Sequence, residues 1–245
     1  MRALSRAAEE AGVELRCYVE VDVGMGRCGV PDGAAALETA RLVAASPGLV
    51  FAGLQAYEGH LQNVTPLAER IALTEHDMRR ALAAREAVEA GGLAVEQVSG
   101  GGTGTHMVTG RLPWMTELQA GSYATMDAQY RAVGGADFEN ALTVLTTVIS
   151  RPRPDKAIVD AGLKAVTPEF GDPAVLLEGA TWRDSSEEHG EIALSGPARD
   201  LRVGDTIEIV PRHGCTTINL YDRFQVLEDG RLKAIWAVAA RGRSQ

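Results

Sequence analysis

Apolar positions along the chain show two textures that meet near residue 140. In the first, short apolar runs alternate with alanine-rich stretches. LRCYVEVDV (15–23), VFAGLQAY (50–57), AVEQVSG (94–100) and WMTELQAG (114–121) read as strands, and the opening MRALSRAAEE reads as a helix. A helix entered through Pro31-Asp32 places Ala36, Leu37, Ala40, Val43 and Ala44 on one stripe. A longer helix runs from Pro66 to Ala90, with Leu67, Ile71, Met78, Leu82 and Arg85 marking its faces, and Gly91-Gly92 ends it. Strand–helix alternation at this spacing predicts parallel pairing through right-handed crossovers.

The second texture has no helical period. ALTVLTTVIS (141–150), KAIVDAG (156–162), GEIALSG (190–196), DTIEIVP (205–211), TINLYDRFQVLE (217–228) and LKAIWAVA (232–239) are strand-like and separated by Gly, Pro and Asp. They predict an antiparallel barrel or sandwich. The expected architecture is α/β plus all-β, with an α/β domain over 1–138, a β-rich domain over 139–245, and the cut in the 134–137 stretch. A complete (β/α)8 barrel needs roughly 250 residues. Four strands predict either an open sheet or the later part of a longer barrel.

Charge and composition narrow the function. Subtracting 33 acidic from 24 basic residues gives −9, which argues against a nucleic-acid binder. No apolar run approaches the ~20 residues of a membrane span, and the first residues lack the apolar core of a secretion signal. Cys17, Cys28 and Cys215 form no even framework, so a reducing cytoplasm is expected. The 27 glycines cluster in loops, and the loops carry the candidate chemistry.

At the ends of parallel strands, four such loops are readable. GMGRCG sets Arg27 between glycines, free to approach an anion; the next loop exposes Tyr57, Glu58 and His60. SGGGTGT (99–105) has the composition of a phosphate cradle, in which backbone N–H groups converge and Ser99, Thr103 and Thr105 add hydroxyls. It is neither a P-loop nor a dinucleotide fingerprint. ELQAGSY (117–123) offers a glycine and hydroxyl pair. In the β-rich half, His213 and Cys215 of PRHGCTT are two apart, so an extended backbone would turn both to one face, as a zinc site or as a buried cysteine beside a polar histidine. His189 in EEHG reads as part of a solvated turn.

Together VEVDVGMGRCGV, GLQAYEGH, VSGGGTGT, ELQAGSYATMD, VDAGLKA, EEHG and GDTIEIVPRHGCTTINLYD resemble the D-threonine aldolase and D-serine dehydratase family. Its members are pyridoxal-phosphate enzymes of the alanine-racemase barrel fold with a β-rich second domain and a divalent metal. The resemblance implies the C-terminal half of that barrel followed by the β-rich domain. It places Arg27 at the cofactor's phenolic oxygen and Tyr57 against the pyridine ring; Ser99, Gly102, Thr103, Gly121 and Ser122 would bind the phosphate. Gln119 stands where alanine racemases carry an arginine, which fits the lyase branch. His213 and Cys215 match the metal pair, for zinc or manganese, and would act through that metal.

The family's Schiff-base lysine belongs to a first barrel strand with no counterpart here. Lys156, Lys164 and Lys233 are the chain's lysines, and none fits that pattern. The implied activity is elimination from, or cleavage of, small-molecule D-3-hydroxy amino acids such as D-serine, D-threonine or D-threo-3-hydroxyaspartate, by a cytoplasmic homodimer without nucleic-acid or membrane partners. The alternative is an N-terminally truncated, non-catalytic fragment that keeps phosphate and metal affinity, or one that pairs with a separate N-terminal half.

Overall fold

The computed structural model describes residues 1–243. Two compact units divide the chain: Met1–Gly121 with Val133–Ala136, and Ser122–Ala132 with the residues from Asp137 on. The last crossing between units therefore falls in the 134–137 stretch, while the 122–132 segment groups with the β-rich half.

The first unit follows the order α1 (Arg2–Ala11), β1 (Leu15–Glu20), α2 (Gly33–Ala44), β2 (Leu49–Ala56), α3 (Leu67–Ala90), β3 (Gln97–Gly100), α4 (His106–Thr109) and β4 (Glu117–Leu118). Its four strands pair in parallel in the order β1-β2-β3-β4. Helix α2 starts where the Asp32 side chain accepts the Ala35 N–H at 2.9 Å. Its Ala36, Ala40 and Val43 are buried, as their spacing predicts, and Leu37 is half-buried, but Ala44 at the end of the stripe is exposed.

Of the residues that mark the faces of helix α3, Met78 is buried. Met78, Ala81, Ala84 and Val88 join the core, together with Arg70, Thr74 and Asp77. Polar side chains go inward because partners await them: Arg70 donates to the carbonyl of Val64 at 3.2 Å and also to that of Gly134. A purely apolar stripe could not have found this face.

The two faces of the parallel sheet differ sharply. Val19, Leu54, Ala56 and Val98 pack with α2 and α3 into one apolar core. The register aligns Glu20 with Gln55, Gln55 with Ser99, and Ser99 with Glu117. These polar side chains share the opposite face by strand alternation. One row further back, Tyr18 aligns with Gly53 and Gly53 with Gln97. Gly53 has φ +154, and a Cβ there would strike the Gln97 carbonyl. With no side chain in the middle, the Tyr18 hydroxyl spans β2 to donate to Gln97.

Helix α5 (Ala128–Val133) leads into the second unit's strands: β5 (Val144–Arg153), β6 (Lys156–Val159), β7 (Ala174–Val175), β8 (Ala180–Ser185), β9 (Gly190–Leu194) and β10 (Thr206–Val210). These form an antiparallel sheet in the order β7-β10-β5-β6-β9-β8 around Val148, Val159, Ile192 and Ile209. Strands β7 and β8 carry no apolar run. Trp182, 4% exposed, anchors β8, whereas its neighbours Thr181 and Arg183 are exposed. The expected strand over 217–228 divides into the end of helix α6 (Gly214–Ile218) and β11 (Arg223–Glu228), which pairs with β12 (Arg231–Ala237) as a separate hairpin.

Candidate functional site

The GMGR loop after β1 is held by a single carboxylate. Asp22 accepts the N–H groups of Gly24 at 2.9 Å and Gly26 at 3.0 Å through one oxygen. The Gly26 and Gly24 bonds hold the Asp22 carboxyl below its ordinary value. The turn delivers Arg27 to Tyr57, with the guanidinium 5.8 Å from the ring centroid. Arg27 is half exposed and lies 3.5 Å from Glu20. The two predicted residues thus meet at the ends of β1 and β2.

Glu58 departs from the expected exposed loop, whereas His60 is exposed as expected. His60 Nε2 lies 2.9 Å from Asp77 of α3, whose second oxygen contacts His76 at 3.0 Å. Glu58 is fully buried beneath the glycine loop. Its carboxylate accepts the Gly101 N–H at 3.0 Å and the hydroxyls of Thr105 and Thr109, each at 2.7 Å. Gln62 completes the support: its Oε1 accepts the Gly104 N–H at 2.8 Å, and its Nε2 donates to Thr105 at 3.0 Å.

The glycines of SGGGTGT therefore act differently from the expected converging cradle. The N–H groups of Gly101, Gly102 and Gly104 turn to Glu58, Thr105 and Gln62. Glycine is needed because the loop lies tight on those supports: a Cβ on Gly102 or Gly104 would enter Gln62, and Gly101 has φ +71. Ser99 donates to Glu117 and accepts from Gln119 at 2.9 Å, and Gln119 also reaches Gln55. Thr103 is buried, and its carbonyl is 2.8 Å from His106 Nδ1. A Cβ on Gly121 would meet nothing within 4 Å. The first unit thus carries Arg27, Tyr57, Ser99, Gly102, Thr103, Gln119 and Gly121; Ser122 opens the segment that groups with the second.

His213 and Cys215 come together in the second unit, but not on an extended strand. His213 is extended, with φ −130 and ψ 130, and Gly214 starts α6, so Cys215 sits in its first turn. Asp127 binds this corner from below. Its Oδ2 accepts His213 Nδ1 at 3.0 Å and the Gly214 N–H at 3.1 Å, while Oδ1 accepts the Tyr130 N–H at 2.9 Å. The imidazole lies close enough to the Cys215 thiol for each to shift the other's pKa. Phe170 packs edge-on against the ring with centroids 5.3 Å apart.

The bond to Asp127 and then the Cys215 thiol push His213 up to about 10, against the effect of burial. His213 holds the Cys215 thiol below its ordinary value. Burial alone would raise Asp127, but the bonds from His213, Tyr130 and Gly214 leave it lowered. An imidazole and a thiol are a donor set suited to zinc. Among the described residues no group of three or more His, Cys, Asp or Glu is placed to hold a metal ion. EEHG lies beside Lys164, whose ammonium is 2.6 Å from Glu188.

Sequence reasoning missed Asp127 and Gln62, and placed Glu58 in an exposed loop although it is buried. Asp127 carried a readable signal, since Asp-x-x-Tyr with a returning N–H is a helix cap; its bond to residue 213 did not.

Comparisons with known proteins place these features in context. The family model for the alanine racemase N-terminal domain matches residues 1–129, and that for a putative serine dehydratase domain matches 141–227. D-threonine aldolase of Arthrobacter sp is 42% identical over 99% of this chain and 65% of its own length. The crystal structure of D-threonine aldolase from Filomicrobium marinum superposes with TM-score 0.95 at 36% identity, covering 98% of this chain and 66% of that one. D-threo-3-hydroxyaspartate dehydratase, solved from Delftia sp. HT23 and as a cysteine-to-alanine variant in a metal-free form, gives TM-score 0.82 at 26% identity, covering 96% and 69%. The chain spans about two thirds of the length of the curated relatives it matches.

Proposed function

The chain belongs to the alanine racemase N-terminal domain family, and on that premise we propose that it is a pyridoxal-phosphate- and metal-dependent lyase acting on D-3-hydroxy amino acids. The observation that carries this reading is the His213–Cys215 corner, an imidazole and a thiol held together over a buried carboxylate. The kinship of the β-rich half with a serine dehydratase domain supports it.

Arg27 and Tyr57 would hold the cofactor's ring and phenolic oxygen, with Gln119 near the ring nitrogen. Ser99, Thr103 and Gly121 would hold its phosphate, whereas the Gly102 N–H is already given to Thr105. The residues fit such a group in kind: Arg27 is half exposed over the Tyr57 ring, and Gly121 leaves open space where a side chain would stand. When bound, the cofactor supplies an electron-poor ring that stabilises negative charge at the substrate's Cα. A zinc or manganese ion on His213 and Cys215 would supply Lewis acidity at the β-hydroxyl. The chain's own residues do the positioning. Asp22 fixes the turn that presents Arg27, and Glu58 and Gln62 fix the loop that presents Thr103. The four parallel strands represent part of the alanine-racemase barrel, and unpaired Cys17, Cys28 and Cys215 accord with a cytoplasmic setting.

Lys156, Lys164 and Lys233 belong to the second unit and contact Glu191, Glu188 and Glu228. Retention of pyridoxal phosphate and Zn²⁺ after dialysis tests the cofactor and metal parts of the reading. His213→Ala should lose the metal and keep the cofactor; metal content equal to the parent's removes the metal role.

A further inference from the structure

We propose that Asp127 is the positioning residue of the histidine–cysteine pair, setting which imidazole nitrogen faces the thiol. The inference rests on the reading of His213 and Cys215 as a metal pair. Asp127 is fully buried, and its Oδ2 takes two donors that flank the corner: His213 Nδ1 at 3.0 Å and the Gly214 N–H at 3.1 Å. One oxygen thereby ties the ring to the backbone just before Cys215. With Nδ1 protonated and given to Asp127, Nε2 is the nitrogen left for the thiol side, which is the arrangement a ligating histidine needs.

The opposite end of the carboxylate anchors the arrangement. Oδ1 caps α5 through the Tyr130 N–H at 2.9 Å, so Asp127 cannot swing away without uncapping that helix. An amide at this position cannot accept at both ends. If its oxygen faces Tyr130, its NH2 group faces His213 and forces the proton onto Nε2. If its oxygen faces His213, the cap is lost.

The test uses the full chain titrated with Co²⁺, whose thiolate absorption reports Cys215 ligation, and ¹⁵N spectra of the His213 ring. In a folded variant, Asp127→Asn should weaken Co²⁺ binding about 10–100-fold and redistribute the ring proton. Equal Co²⁺ affinity in parent and variant overturns the proposal. If Asp127→Asn fails to fold, the ¹⁵N spectrum of the Zn²⁺-titrated parent decides: an Nδ1-bound proton supports the proposal, and an Nε2-bound proton overturns it. A parent that shows the Nδ1 proton but binds no Co²⁺ refutes the metal reading and leaves the positioning intact.

Discussion

Fifty-one residues apart in the chain, Glu58 and Thr109 meet at 2.7 Å in the interior of the first unit. With the Gly101 N–H and the Thr105 hydroxyl, that contact makes Glu58 the floor of the glycine loop. Removing it strands three buried donors, each costing about 1–3 kcal/mol when unmet. Glu58→Ala should therefore destabilise the first unit by about 3 kcal/mol or more, read as a lower urea midpoint. Glu58→Gln, which keeps one acceptor, should lose less. A midpoint unchanged in Glu58→Ala would remove Glu58 as the loop's support.

Asp22 gives the first unit an acid limb of known sign. Bonds from Gly26 and Gly24 hold its folded carboxyl below the ordinary carboxylate value, so its contribution is complete above that ordinary value. It disappears as pH falls through the lowered folded value. Asp22→Asn should be less stable than the parent at neutral pH, and the gap should close as pH falls through the lowered carboxyl value. A stability gap that stays constant from neutral to strongly acid pH would contradict the capping role.

Gly53 has no room for a methyl group, because the atom it would meet is a backbone carbonyl, that of Gln97. Backbone must then shift, at a cost at or above the usual ~1–3 kcal/mol of overpacking. Gly53→Ala should lower the melting temperature and break the Tyr18–Gln97 bridge, visible as a change in tyrosine fluorescence. A variant with parental melting and fluorescence would show that β2 and β3 are looser than their register implies.

Much of the fold was legible because its elements obey their own periods. The Ala36, Ala40 and Val43 stripe of α2 and the four parallel strands needed only local pattern. What escaped depends on contacts distant in sequence. The buried face of α3 includes Arg70 because carbonyls at 64 and 134 receive it. Glu58 looked solvent-bound because its three donors lie 43 to 51 residues away. At the candidate metal pair the proximity of His213 and Cys215 was legible, but its cause was not. A helix start, rather than a strand, joins them, and Asp127 lies 86 residues before His213.

The most direct measurement is turnover of a matched stereochemical pair. The chain, supplied with pyridoxal phosphate and Zn²⁺ or Mn²⁺, is given D-threonine, D-threo-3-hydroxyaspartate or their L-counterparts. Glycine with an aldehyde, or ammonia with a keto acid, is then quantified. Lyase function requires product from a D-substrate over its L-counterpart, lost on chelation and in His213→Ala. Absence of product from a chain that demonstrably retains cofactor and metal would contradict it, as would product indifferent to chirality or to His213.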